Sequence, residues 1–419
     1  MSDVHAAAQE AADLLRTTTA IRTRAQALLA RARAGDSDHF TIDDAAMDAA
    51  VQTVVQVTRE RYPRLVFPYH SRWRHFEAGG IDRRAQLDAL LGDASAPDKA
   101  RAQIDLALVS VLLDAGAGPD WRYDEAGQTF TRSEGLGVAS FHAFCAGLFS
   151  SDPTHHPLRA DAVGLRALST DRLAQALQVS DANPLVGLEG RAVLLRRLGE
   201  VLADNAPYFG TDGRPGRLFD LLSGCDHHAV PPTAEVQAHA ILSALLDGLS
   251  PIWPAQNAIH GIALGDCWHH SAVRGPGLKD LTEGWMPFHK LSQWLTYSLL
   301  EPFEWAGVKV HGLDALTGLP EYRNGGLFLD TGVIVPRDAQ LAARTLHAGD
   351  EPIVEWRALT VALLDELAPL VRAKLGKTAE EMPLACILEG GTWAAGRVLA
   401  QRLRGGTPPL NIASDGTVF

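Results

Sequence analysis

The sequence predicts a mainly α, multi-helix globular fold with minor β hairpins. Two observations carry this: apolar residues recur at helical spacing over much of the chain, and stretches with strand character are few and short. A third is bulk, because 419 residues of which 46% are hydrophobic and 21% charged hold enough apolar side chain for a substantial core.

Taken in order, Ile21, Ala25, Leu28 and Leu29 fall on one stripe, and Met47, Val51, Val54 and Val55 on another, so both segments read as amphipathic helices. The second opens with Thr41 three residues before Asp44, in the manner of a capping box, and runs out before Pro63. Residues 99–115 are apolar on most sides and stop at Gly116, Gly118 and Pro119, which marks a central, buried helix. Asn183 followed by Pro184 reads as an N-cap and first-turn pair for a helix carrying Leu188, Leu194, Leu195, Leu198, Val201 and Leu202. Further helices are expected near 234–248, 287–304, 352–375 and 384–403. Strand character is confined to "GGLFLDTGVIV" from Gly325, a hairpin either side of Ala126 and Gly127, and a C-terminal hairpin turning at Asp415 and Gly416. No heptad run, low-complexity tract or internal repeat is present. The chain reads as a single unit of two helical lobes, about 1–204 and 234–419, joined by the Gly- and Pro-rich segment 205–233.

A formal net charge of −12 gives no polybasic footprint, which argues against a nucleic-acid polymer or an anionic membrane surface as partner. A small anion in a local basic pocket stays open. Cys145, Cys225, Cys267 and Cys386 are too sparse for a disulfide framework, and the polar, Ala-rich start has no signal-peptide character. No apolar run approaches the ~20 residues a membrane span needs. A cytoplasmic location is expected. The oligomeric state is not fixed by the sequence.

Common cofactor and nucleophile motifs are missing: no P-loop, no dinucleotide fingerprint, no nucleophile elbow and no paired-His zinc helix. Cys225 with His227 and His228, and Cys267 with His269 and His270, match no standard zinc spacing and read as ordinary loop residues, so no metal is expected. Chemistry is better sought in polar clusters set in apolar or glycine-rich sequence, where burying charge is costly unless it is paired or used. "YHSRWRHFEAGG" gathers His70, Arg72, Arg74, His75 and Glu77 between aromatics and a double glycine. It reads either as an ion-pair network on Trp73 and Phe76 or as a wall binding an anion or sugar hydroxyls. "LLDAGAGPDWRY" places Asp114, Asp120 and Trp121 at the end of the buried helix, as a plain helix stop or a sugar-contacting loop, with Arg132, Ser133 and Glu134 soon after. "PFHKLSQWLTYSLLEPFEW" puts Lys290, Trp294 and Tyr297 at i, i+4 and i+7, with Gln293 and Glu301 on the same face. That face is either solvated or an inward-pointing phosphate or carboxylate binder. Finally, "TGLPEYRNGG" and "ILEGGTWAAGR" each set a glutamate, Glu321 or Glu389, beside aromatics and glycines that let backbone approach a ligand. Such a carboxylate suits acid–base work or stabilisation of a cation, or else a structural ion pair.

Through these strings, together with "VEWRALTVALLD", the chain resembles, over nearly its whole length, a fungal and bacterial uracil-catabolism family first catalogued as a domain of unknown function. The resemblance implies a route in which uracil is made a nucleoside or nucleotide, its ring is opened, and ribosylurea must be broken down. A second resemblance is to the queuosine-salvage nucleotide N-glycosylases, which implies a helix-hairpin-helix DNA-glycosylase-like architecture. "PFHKLSQWL" is similar to that family's aromatic-Tyr-Lys-Arg-Ala-Gln helix, matching Lys290 and Gln293 with Leu291 in place of Arg. "LTGLPEYR" resembles Leu-Thr-x-x-x-Asp-Tyr-Arg, matching Glu321, Tyr322 and Arg323 with Glu for Asp. "VEWR" from Val354 matches Val-Glu-x-Arg. "LEGGTWA" matches Glu389 and Trp393 with Ala394 in place of a second acid, and "LGDCW" sets Asp266 against an Arg-Asp pair.

Together the resemblances imply an N-glycosidase that splits the C1′–N bond of ribosylurea, or of its 5′-phosphate, into urea and ribose or ribose phosphate, without a cofactor. Its oxocarbenium-like transition state calls for a carboxylate near C1′ and a donor for the leaving urea. Glu321 and Glu389 are the expected catalytic pair, in either order. Lys290, Arg323, Arg72, Arg74 and His75 would meet phosphate or sugar hydroxyls. Trp393, Tyr297, Trp121, Asp120, Glu134 and Asp266 would complete the pocket. An amidohydrolase acting on the ureido group, or a non-catalytic ligand-binding subunit of a uracil-degrading complex, remains an alternative.

Overall fold

In the computed structural model, residues 3–225, 229–231, 233–252, 257–275 and 280–413 are described. The fold is mainly α. Among these residues the strands form only six two-stranded pairs. The chain divides into two compact units built from interleaved segments: Met1–His70, Ala255–Gln293 and Leu313–Ser414 in the first, and Ser71–Pro254, Trp294–Gly312 and Asp415–Phe419 in the second.

The first unit is organised on Glu351–Leu375, a 25-residue helix with Pro352 in its first turn and Gly376 in the left-handed conformation at its end. Ile353 through Leu364 are all buried, so this helix is core on every side over three turns. Helices Thr18–Ala34 and Met47–Arg61 pack on it. Thr17 caps the first of these by accepting from Ala20 N at 3.1 Å, and Gly35 ends it at φ 83°. Leu28, Leu29, Val51 and Val54 are at most 2% exposed, and each such side chain contributes about 1.5–3 kcal/mol by leaving water. Helix Tyr322–Asp330 lies against Trp393–Arg404, which is continuous with Leu384–Ile387 through a π-helical turn, Leu388–Thr392.

The second unit centres on Ala96–Leu112, where every residue from Ala100 to Leu112 is buried. Arg132–Cys145 and Arg217–Ser223 pack against this helix, while Leu188–Asp204 packs on Ala162–Arg166. The hairpin expected at Ala126 and Gly127 is present: Tyr123–Glu125 pairs antiparallel with Gln128–Phe130, and both turn residues have positive φ.

Four expectations are corrected. The run from Gly325 is not a strand: it lies in helix Tyr322–Asp330, and only Ile334–Pro336 is extended, paired with Phe40–Ile42. Glu321 caps that helix and Gly325 lets it lie on Trp356 and Thr360, contacts a local strand signal does not reveal. Thr41 sits in the strand opposite Val335, and Asp43 caps the short turn leading into Met47–Arg61. Asn183 caps no helix. Its amide bridges Arg122 and Gln178 instead, and the helix begins at Leu188 after Gly187. Segment 205–233 is not loop throughout, since Ala206–Phe209 and Arg217–Ser223 are helical. The hairpin expected at Asp415 and Gly416 lies outside the described residues, while Asn411–Ile412 pairs parallel with Thr345–Leu346.

Candidate functional site

Of the residues singled out from sequence, Glu321, Glu389, Arg323, Trp393, Asp266 and Lys290 belong to the first unit. Arg72, Arg74, His75, Asp120, Trp121, Glu134 and Tyr297 belong to the second.

In the first unit the site is built on the π-helical turn. Helix Leu384–Ile387 would continue regularly into Trp393–Arg404, but the wider turn between them interrupts the repeat, a feature often found at functional sites. The turn lies close to helix Met47–Arg61: a Cβ on Gly391 would fall 2.4 Å from Thr58 Oγ1 and 2.8 Å from Val54 O. A Cβ on Gly396 would fall 2.0 Å from Arg323 O. These glycines therefore serve helix packing, not the approach of backbone to a ligand expected from the sequence.

Glu389 projects from this turn and is 5% exposed. Its Oε1 accepts from Arg61 Nη2 at 2.7 Å and Tyr62 OH at 3.0 Å, and its Oε2 faces His70 Nδ1 at 2.9 Å. Arg61 also donates to the Glu389 carbonyl. Burial pushes this carboxyl upward, but the hydrogen bonds and charge of His70 and Arg61 outweigh it and hold it down at about 2. The His70 ring lies 6.0 Å from half-buried Trp393, and the Arg323 guanidinium stands 4.0 Å over the same indole. Glu321 starts the helix carrying Arg323, with its two oxygens accepting from Arg323 N at 2.9 Å and Asn324 N at 2.6 Å. The buried hydroxyls Thr58 Oγ1 and Thr392 Oγ1, beside and within the turn, make no hydrogen bond. Such atoms usually cost about 1–3 kcal/mol, so their presence here calls for an explanation other than stability.

His70 stands in the "YHSRWRHFEAGG" cluster read from the sequence, whereas Arg61 and Tyr62 belong to no cluster singled out there. Pro63 marked the end of the helix, and the same "ERYP" junction puts a charged and an aromatic residue at its last turn. That signal could have been read as a site wall.

Asp266 is committed to structure. Arg357 grips both its oxygens at 2.8 Å, Trp268 Nε1 donates to one at 2.7 Å, and Lys290 N donates to the other at 3.0 Å. Burial opposes its ionisation, but Arg357 above all holds the carboxyl well below the usual range. Lys290 thus begins helix Lys290–Trp305 through its backbone, on a carboxylate anchored to helix Glu351–Leu375.

The second unit holds its own buried polar cluster. Arg72 is fully buried, with Nη1 3.1 Å from Asp114, Nε donating to Ser110 Oγ at 2.7 Å and His75 Nδ1 3.3 Å away. Burial pulls the guanidinium down from its usual value, against the opposing charge of Asp114. His75 meets Trp294 edge to face at 5.8 Å. Arg74 and Ser71 both donate to Glu301, at 2.8 and 2.6 Å. Trp121 is a core residue whose Nε1 donates to Leu177 O, and Tyr297 is fully buried. Asp120 is exposed and Glu134 partly so.

Among the described residues no three His, Cys, Asp or Glu side chains are disposed to hold a metal ion. Cys267 Sγ lies 3.7 Å from His289, while His269 packs on Trp285 and His270 on Glu355. His227 and His228 lie outside the described residues. Among the described residues no helix is long and apolar enough to cross a membrane.

A mainly helical chain with a buried carboxylate–imidazole–guanidinium cluster at a π-helical turn defines the class of structure. The chain belongs to the family described as "Protein of unknown function (DUF1688)", whose profile matches residues 14–419. It is 38% identical over 411 residues to "Protein urg3" of Schizosaccharomyces pombe, covering 95% of this chain and 96% of that one. It is also 40% identical over 414 residues to "Uracil catabolism protein 4" of Lachancea kluyveri, covering 92% and 93%.

Proposed function

We propose that this protein acts in uracil breakdown by hydrolysing the C1′–N bond of ribosylurea or its 5′-phosphate, releasing urea and ribose or ribose phosphate. The relative named for uracil catabolism supports the pathway. The observation that carries the chemistry is the Glu389 cluster: a buried, ionised carboxylate coupled to an imidazole, beside an arginine-stacked, half-buried tryptophan.

Breaking a glycosidic C–N bond develops positive charge on the sugar and negative charge on the departing nitrogen. In this reading Glu321, oriented by two backbone N–H groups, is the carboxylate set against the oxocarbenium ion. Glu389, held at about 2, is no proton donor at neutral pH and serves as fixed negative charge. Trp393 offers a flat face to the sugar or ureido group. Arg323 and Lys290 are the cations assigned to sugar hydroxyls or a 5′-phosphate. The reaction needs no cofactor.

The test is product analysis with the purified protein. Ribosylurea and its 5′-phosphate are supplied separately in the presence of a chelator, and urea and reducing sugar should appear in equal amounts. Ammonia with a ribosylamine would instead mark an amidohydrolase. Binding without turnover of either compound would mark a ligand-binding subunit.

A further inference from the structure

Glu389 is a poor candidate for carrying a proton. One oxygen already accepts from Arg61 and Tyr62, the other faces His70, and the side chain is almost out of contact with solvent. To take up a proton it would have to break charge-assisted hydrogen bonds, the strongest of their kind. The mobile proton at this turn is better placed on the ring that Glu389 orients.

We propose that His70 is the proton-handling group of this site and that Glu389 is its positioning carboxylate, with Nδ1–H donating to Glu389 and Nε2 taking the proton of the water that attacks C1′. The proposal rests on the glycosidase reading above. An ionised carboxylate only accepts, so the 2.9 Å contact fixes Nδ1 as the protonated nitrogen of the neutral ring and leaves the lone pair on Nε2. His70 is held through its backbone and through its ring. Its backbone N–H donates to Ala385 O at 3.0 Å, tying it to the helix that runs into the turn, while Glu389 holds Nδ1 and Trp393 leans on the ring at 47°.

Around the two side chains that hold the ring stand Arg61 and Tyr62 at the end of Met47–Arg61, which donate to Glu389, and Arg323 on Tyr322–Asp330 and Arg397 on Trp393–Arg404, which lie over Trp393. Arg61 pairs directly with the Glu389 carboxylate at 2.7 Å. This is the division of labour of a catalytic triad, in which the buried carboxylate fixes the tautomer and the imidazole moves the proton. The step balances. The water oxygen bonds to C1′, and the C1′–N bond breaks with its electron pair staying on the urea nitrogen. The proton lost by water passes to His70 Nε2 and from there to that nitrogen, and nothing is oxidised or reduced.

The experiment follows urea release from ribosylurea against pH for the wild type, His70→Ala, Glu389→Gln and the double variant. His70→Ala should lower kcat/KM by roughly 10²–10⁴, remove the acidic limb of the pH profile and regain activity when imidazole is added. The double variant should be no slower than the worse single one, because the two residues act as one device. Multiplicative effects, or a His70→Ala enzyme that keeps its acidic limb and ignores imidazole, would overturn the assignment. Should the variants fail to fold, nitrogen-15 spectra of the wild-type imidazole decide: an Nδ1-protonated neutral ring supports the dyad, and the Nε2-protonated tautomer refutes it. A wild-type protein that releases no urea brings down the glycosidase reading, and with it the attack on C1′. The tautomer measurement still tells that failure apart from a failure of the dyad.

Discussion

Glu389 in the first unit and Glu301 in the second are both glutamates at most 9% exposed, and each is hydrogen-bonded to an arginine and to one or more neutral side chains, yet their carboxyls shift in opposite directions. Burial raises both. At Glu301 it prevails over Arg74 and Ser71, with nearby Glu304 adding to the rise. At Glu389 the contributions of His70 and Arg61 prevail instead. Burial alone therefore does not decide whether an acid is available at neutral pH. The number and charge of the donors it meets do.

The largest effect that sharpens this contrast should come from removing the Glu389 charge outright. Glu389→Leu leaves Arg61, Tyr62 and His70 facing an apolar group, and breaking one side of a buried ion pair typically costs about 3–5 kcal/mol. Urea-denaturation midpoints at pH 7 check this. A loss under about 1 kcal/mol would mean that Arg61, whose side chain is a third exposed, hydrates freely once released.

Next in size is a pH effect. The folded Glu389 carboxyl lies below its ordinary value of 4.5, so its contribution is present above that value and lost as pH falls from 4.5 towards 2, by about 3 kcal/mol in all. Stability measured over this window should fall more steeply in the wild type than in Glu389→Gln. Glu301 has the opposite sign. Its contribution is full below 4.5 and is lost as pH rises through its raised folded value.

A smaller effect probes the frame and not the charges. Gly396→Ala would drive a methyl into Arg323 O, 2.0 Å away, and should destabilise by about 1–3 kcal/mol as the two helices separate. Because Arg323 stacks on Trp393, the same change should alter tryptophan fluorescence, whereas Gly376→Ala, where a Cβ meets open space, should leave it unchanged.

The parts of this molecule that were legible in its sequence are those set by neighbours a few residues apart. Helical spacing found the helices now seen at Ala96–Leu112, Leu188–Asp204 and Glu351–Leu375, and the Ala126–Gly127 turn gave its hairpin. The helix expected over 384–403 was located, but its π-helical turn was not, because that turn answers to Thr58 and Val54 on another helix. The site followed the same rule. Glu321, Arg323, Glu389, Trp393 and His70 stood out through local composition, whereas the contacts that join Arg61, Tyr62 and His70 to Glu389 span 319 to 328 residues of chain. A double glycine in "LEGGTW" signals close approach equally well to a ligand or to a helix, and only the packed structure shows which.

The smallest expected effect separates the two glutamates most cleanly. In Glu301→Gln the amide oxygen can keep accepting from Arg74 while the amide nitrogen donates to Ser71 Oγ, a hydroxyl that can accept as well as donate. Both contacts survive, and the charge lost is one that burial already disfavours. Stability at pH 7 should change by no more than about 1 kcal/mol, with a flatter dependence as pH rises above 4.5. Glu389→Gln has no such solution. One side of the carboxylate faces Arg61 and Tyr62, both donors, and the other faces the protonated Nδ1 of His70, so the amide nitrogen must oppose a donor whichever way it turns. Parallel thermal unfolding of the two variants reads this difference directly. Equal losses would mean that Ser71 cannot turn its hydroxyl, or that His70 exchanges tautomer to accept the amide, and the second of these would show in the imidazole nitrogen spectrum.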